Sequence, residues 1–396
     1  CMLSEGTRVI SLDKYKSIVY QYNNDFQTDA NAEQYLHEYE RVELLNEKEG
    51  QVVFGYPYIH YYFTAKYLAN NISKEWAREK IKTMSSQLYE EECGDIMIFL
   101  CHLSKDDFII DIVLKNAKEI LSDKNIFDFG EHKSIQLSFD EYLKSDFIPE
   151  KDIELREDQL LEVRDRQERE NRRQKDTEVI EEGREYVYSL DNAFKTIEVM
   201  GQILKNYPGT IKGAVKNDLL ETIYAVGMRT LSYTSDILYG GIERIFEDIS
   251  KKIQPSPSQI EMEKIKELSR KLNSSMDNLF GLLSYAMIRN LADSVANKAL
   301  VPVIAQSPLN EKIGYNLVKD SIQLNEFGTI AVDLILKEYD DYNDKDNIFA
   351  AKLLRLLVLD HYYVYGSKDY KNRQKVWQKM KFGNKEKIIA LQGEKK

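Results

Sequence analysis

At 396 residues with 43% hydrophobic side chains, the chain is long enough for two or three domains with real cores. A formal net charge of −11 argues against a non-specific grip on nucleic acid or anionic lipid as a property of the whole chain. Three Cys, at positions 1, 93 and 101, make no disulfide framework and fit a reducing cytosol; no apolar run approaches the roughly 20 residues of a membrane helix, and no signal peptide is visible.

Cys1 precedes Met2, an odd start that reads as the edge of a fragment. Only 7 Pro and 18 Gly occur, and apolar residues recur mostly at spacings of three and four, so the expected fold class is mainly α. Helical patterns open the chain in "SLDKYKSIVYQYNNDF" and "NAEQYLHEYERV". Between Val42 and Gly55, "VELLNEKEGQVVFG" sets short apolar runs on both sides of Glu47–Gly50, a β-hairpin pattern with Gly ending the turn. A third helix is predicted from Pro57, whose fixed φ suits a first helical position. Helix, helix, hairpin, helix is the order of a winged-helix unit, placed at residues 1–73.

Residues 74–149 are predicted to form a small helical domain. There "DIMIFLCHL" has the density of a buried helix, "FIIDIVLKNAKEIL" is amphipathic, and Ser138–Glu141 is a capping box. Residues 150–185 are a charged helix or linker. Between Arg164 and Glu178 no aliphatic or aromatic side chain occurs, so no face can be buried; Asp165–Arg169 and Glu168–Arg172 would tie a solvated helix. A C-terminal helical domain is expected over 186–380. It opens with the stripe Leu190, Phe194, Ile197, Met200 and Leu204. "NYPGTIKG" (Asn206–Gly213) and "QPSPSQIE" are turn-rich breaks, and Ser258 with Glu261 caps the next helix. On that helix Ile265, Leu268, Leu272, Met276, Leu279, Leu283 and Ala286 share one predicted core face. Pro302 and Pro308 end it. Two more helices are predicted near 313–339 and 347–364, and 381–396 is a basic tail.

Motifs that carry chemistry are missing. No GxxxxGK[ST] occurs, and "NYPGTIKGAVK" has the wrong spacing for a phosphate cradle. Cys93, Cys101 and His102 are too far apart for one tetrahedral ion, and neither CxxC nor HExxH is present. "DDYNDKDN" (Asp340–Asn347) lacks the central Gly and terminal Glu of a calcium loop and reads as a helix connection. No GxSxG marks a nucleophile, and the five His are scattered at 37, 60, 102, 132 and 361. The chain is therefore not expected to be an enzyme or to hold a metal. For DNA, the stretch "NAEQYLHEYERVELL" offers Gln34, His37 and Arg41 against four Glu, which phosphate would repel.

The segment "VVFGYPYIHYYFTAKYLA" resembles the end of the winged-helix domain in STAND-class NTPases of the NACHT type. In that family a hairpin strand leads into a helix reading roughly F-x-H-x-x-x-QEYFAA-x-x-L. Anchoring on "YFTAKYL" places Tyr62, Phe63, Thr64, Ala65 and Leu68 on the motif's helix. His60 then stands where Gln is usual and Tyr61 where Glu is usual. The family's nucleotide-sensing His falls on Tyr56 instead. The likeness is specific over about 11–73 and weaker over 74–122. "ILKNYPGTIKGAVKNDLLETIYAVGMRTL" is also similar to C-terminal regions of bacterial members.

The resemblance implies the regulatory C-terminal part of a larger protein, with the P-loop domain in cis on chain not included here. It implies ADP or ATP as the parent's cofactor, with Tyr56 and His60 as candidate cofactor-binding residues, although the place of His60 on the helix gives it another direction. It further implies a sensor role for 186–380, an unknown protein trigger, a homo-oligomer on activation, and bacterial anti-phage defence in the cytoplasm. Two other readings stay open: a stand-alone helical scaffold that binds another protein, and a winged-helix DNA-binding regulator.

Overall fold

Two consecutive residues in left-handed backbone, Glu49 (φ 55°) and Gly50 (φ 77°), turn the chain back on itself. Positive φ at both central positions is what a two-residue hairpin turn requires, because its twist then matches that of the strands. Strands β2 (Leu45–Lys48) and β3 (Gln51–Phe54) leave this turn antiparallel, with Lys48 opposite Gln51 and Leu45 opposite Phe54. A third strand, β1 (Val9–Ser11), was not expected; three residues are too few to show a period of two. It pairs with the other edge of β3, giving the order β1-β3-β2.

The computed structural model describes residues 9–133, 135, 137, 181–206, 208–252, 259–326, 331–365 and 370–382. The Ser138–Glu141 capping box, most of the charged stretch 150–185, Tyr207, the break at 253–258 and most of the basic tail lie outside these. The described residues are mainly helical with this one small sheet. They divide into two compact units, residues 1–117 with 198–210, and 118–197 with 211–396.

In the first unit the expected order of helix, helix, hairpin, helix is present. Ser11 ends β1 and caps α1 (Leu12–Phe26), its hydroxyl accepting from the Lys14 amide at 3.2 Å. Asn31 caps α2 (Ala32–Arg41), accepting from the amides of Glu33 and Gln34, both at 3.0 Å. Ile10, Tyr15, Leu36 and Val52 form a small core between these helices and the sheet. At the hairpin's exit Gly55 is obligatory, since a Cβ there would lie 1.8 Å from the Glu43 carbonyl oxygen. Helix α3 (Pro57–Asn70) follows, then α4 (Glu75–Ser86), α5 (Glu91–Leu103) and α6 (Asp107–Glu119). Helix α5 packs against α3 and α4. It is the buried helix foreseen at 95–103, with Ile96, Met97, Leu100 and Cys101 inside.

Helix α3 buries a face that mixes polar and apolar side chains. His60, Tyr61, Thr64, Ala65 and Leu68 point inward, while Tyr58, Phe63 and Tyr67 are exposed. The polar residues are tolerated inside because they find partners or are small, and the large rings cover the edges.

The second unit is built on two long helices, α8 (Gly213–Lys252) and α9 (Gln259–Val295), which pack together. Helix α7 (Glu181–Asn206) precedes them, and the division between the units falls within it. A short helix α10 (Val301–Gln306) holds Pro302 in its first turn, so this proline starts an element. The predicted single helix near 313–339 is two, α11 (Ile313–Glu326) and α12 (Val332–Asp344). Helix α12 takes in five of the eight residues of "DDYNDKDN", leaving only the end of that segment as connection. Helices α13 (Ile348–Tyr365) and α14 (Tyr370–Lys379) complete the order.

The stripe predicted for α9 is not the face that it buries. Leu268, Leu279 and Leu283 are exposed, and the buried face carries Asn278, Phe280, Gly281, Ser284, Met287, Ile288 and Leu291. Gly281 lies inside because Leu137 packs on it; a Cβ there would come within 1.9 Å of that side chain. Leu137 belongs to a segment whose Phe127 and Phe129 are also buried in this unit, against Phe280 at 5.2 Å and Phe349 at 5.6 Å between ring centres. Asn347 fixes the segment. Its side-chain amide donates to the Phe129 carbonyl at 2.7 Å while its own oxygen accepts from the Ala350 amide at 3.0 Å, at the start of α13.

Candidate functional site

The hairpin register sets the geometry around Tyr56. Residues face each other in pairs about the Glu49–Gly50 turn, and the Gly55 amide donates to the Leu44 carbonyl at 3.0 Å just beyond the strands. The next pair outward is Glu43 and Tyr56. The Tyr56 hydroxyl accordingly donates to the Glu43 carboxylate. That hydrogen bond, and then the carboxylate's charge, raise the phenol above its ordinary range. Tyr56 has extended backbone (φ −131°, ψ 147°) and stands at the N-cap of α3, with Pro57 behind it. Its side chain is 43% exposed and stacks on Tyr58, ring centres 5.5 Å apart and 17° from parallel.

His60 sits one turn further along and faces inward. It is 5% exposed, and its Nε2 lies 3.1 Å from Oε1 of Glu92 on α5, the geometry of an imidazole N–H donating to a carboxylate. The ring also packs at 5.5 Å from Phe54. The structure thus separates the two candidates. Tyr56 is a surface group held by Glu43, and His60 is an interior group tying α3 to α5.

His60, without Tyr56, lines a cavity of about 440 Å³ between the sheet, α1, α2 and α3. Tyr15, Tyr39, Phe54, Phe63 and Tyr67 contribute rings to its wall, and no Lys, Arg, Asp or Glu does. An apolar wall of this kind offers nothing to a phosphate. Around Tyr56 itself the charged partner is an anion, Glu43, which an approaching phosphate would have to displace. The residues present therefore do not by themselves fit a nucleotide's phosphates.

Other expected chemistry can be placed as well. Cys101 is fully buried, which pushes its thiol up to about 12; Cys93 is pushed up to about 11 by burial and then by the charges of Glu92 and Glu90. Neither offers a thiolate at neutral pH. Among the described residues no group of three or more His, Cys, Asp or Glu could hold a metal ion, and no helix is long and apolar enough to cross a membrane.

Glu43 and Glu92 are the residues that sequence reasoning missed. Glu43 had a signal: once the turn is fixed at Glu49–Gly50, counting outward pairs it with Tyr56. Glu92 had none, since it lies 32 residues from His60 and meets it only through helix packing. Comparison with protein-family models, with curated proteins and with solved structures found no match to the chain.

Proposed function

We propose that the chain is the regulatory C-terminal part of a STAND-type signalling NTPase, working in the cytoplasm as an ADP-closed switch. The observation that carries this reading is the topology of the first unit. Strand β1, two capped helices and a hairpin whose second strand sits centrally give the order β1-β3-β2, and α3 follows from the hairpin with Tyr56 at its head. This order supports the winged-helix reading. The sequence "YFTAKYL" lies on α3, which supports the reading.

In this reading the phosphates are held by a P-loop domain elsewhere in the parent protein. Tyr56 is the residue of this chain placed nearest the nucleotide, and Glu43 competes for its hydroxyl. The helical second unit senses a protein trigger, and its engagement favours an open, oligomer-forming state, as a ligand that binds one state better must. Exposed Leu268, Leu279, Leu282 and Leu283 on α9 favour a protein partner for that unit. They equally suit a stand-alone helical scaffold, the second reading. The exposed Glu33 and Glu38 of α2 weigh against a recognition helix for DNA.

The test is the nucleotide content of the full encoded protein. Purified at rest and denatured, it should release about one ADP per chain, and Tyr56→Ala should release ADP faster. Absence of bound adenine nucleotide, or an encoded protein without a Walker loop, would leave the scaffold reading standing.

A further inference from the structure

The cavity of about 440 Å³ in the first unit interrupts a core that is small to begin with. Of the four buried residues between the sheet and its helices, Ile10, Tyr15 and Val52 line it. His60 and Thr64 of α3 also line it and are buried, so these five make its floor. Phe63 and Tyr67 line it while 41% and 51% exposed, and they stand at its mouth. A molecule in solvent can therefore enter along α3.

Size, wall chemistry and one unpaired hydroxyl decide what fits. Protein interiors are close-packed, with few voids larger than a water molecule. An apolar cavity of about 150 Å³ already binds one benzene ring, so this one has room for two joined rings. Its walls are themselves rings: Phe54 stacks on Phe63, centres 6.0 Å apart and 18° from parallel, and Tyr39 adds another. None of the lining residues is Lys, Arg, Asp or Glu, so a charged ligand would lose its water with nothing to replace it. The Nε2 of His60 is already engaged by Glu92. Tyr15 is different. It is 7% exposed, and its hydroxyl is buried with no hydrogen-bond partner. A hydroxyl taken out of water unpaired is costly, and an acceptor brought by a ligand removes that cost. Burial first, then the charge of Tyr39, raise this phenol above its ordinary range, so it keeps its proton and remains a donor at neutral pH.

We propose that this cavity is a binding site for an uncharged, two-ring aromatic small molecule bearing a carbonyl-type acceptor, to which the Tyr15 hydroxyl donates. The rings pass between Phe63 and Tyr67 and lie against Phe54 and Val52. The volume falls within the range of about 300–1,000 Å³ usual for small-molecule sites. Occupancy completes the core between the sheet and α1, α2 and α3, so the ligand stabilises the first unit by binding its folded form. Tyr56 does not line the cavity, and the inference does not depend on the proposed function.

Fluorescence titration of the whole chain with N-phenyl-1-naphthylamine, an uncharged probe that brightens in apolar surroundings, tests it. Benzophenone and diphenylmethane then compete for the site; they share two rings and differ in the carbonyl. Both should displace the probe, and benzophenone should bind about fivefold more tightly, the worth of one neutral hydrogen bond. Tyr15→Phe should retain diphenylmethane binding and lose the preference for the ketone. Ile18→Trp, which puts a larger side chain into the wall, should abolish binding of all three while circular dichroism stays unchanged. No brightening with the unmodified chain, equal affinity for ketone and hydrocarbon, or a preference surviving in Tyr15→Phe would each overturn the proposal. So would unaltered binding in Ile18→Trp, which would place the probe elsewhere. If benzophenone converts a dimer of the chain to monomer in sedimentation, a second copy fills the cavity and the proposal also falls.

Discussion

The hairpin at 43–56 and helix α9 respond in opposite ways to local rules. In the hairpin, one Gly and its neighbour set the turn, the turn sets the register, and the register puts Tyr56 against Glu43. In α9 a clean apolar stripe is present, yet Leu268, Leu279 and Leu283 on it face solvent. Backbone geometry is enforced within a few residues, so a short window reveals it. The buried face of a long helix is chosen by whatever packs on it, and for α9 that includes Leu137, far away in the chain.

The largest expected effect separates neighbours on α9. Phe280→Ala should destabilise the second unit by about 3–5 kcal/mol, the usual range for a fully buried Phe. Leu279→Ser, one residue away, should change stability by about 0.5 kcal/mol or less. Urea unfolding followed by circular dichroism measures both, and equal costs would remove the contrast between pattern and burial. Next in size, Gly55→Ala should cost the first unit about 3 kcal/mol, since its Cβ meets backbone that cannot swing aside. Loss of the first unit's unfolding transition with the second intact would fit; an unchanged midpoint would mean that the hairpin does not need this glycine. The smallest effect is electrostatic. In Glu43→Gln the phenol of Tyr56 should titrate at lower pH than in the unmodified chain, because its carboxylate partner is gone. Ultraviolet difference titration of that variant against the unmodified chain detects this, with little change in stability.

Much of the fold could be read in advance where caps and turns speak for themselves. Ser11, Asn31, the Glu49–Gly50 turn and Pro57 mark the boundaries of α1, α2, the hairpin and α3. The face of α3 could not be read, because a polar His is not assigned to an interior until its carboxylate partner is known, and Glu92 arrives from another helix. Strand β1 escaped because three residues carry no pattern. The split of 313–339 was missed because both of its helices carry apolar residues at helical spacing. Of the two candidate residues, Tyr56 lies at the surface, and its partner Glu43 is within reach of counting. His60 was singled out too, but as a ligand contact; the structure gives it a partner inside the protein.

The bond from Asn347 to the Phe129 carbonyl spans 218 positions. A ribosome adding roughly 5–20 residues per second needs on the order of tens of seconds to cover that distance. For much of that interval Phe129 is outside the exit tunnel without α13, whose Phe349 later packs on it. The nascent chain therefore carries a bare aromatic ring until α13 emerges, an opening for chaperones early on and for misassembly if that helix is delayed.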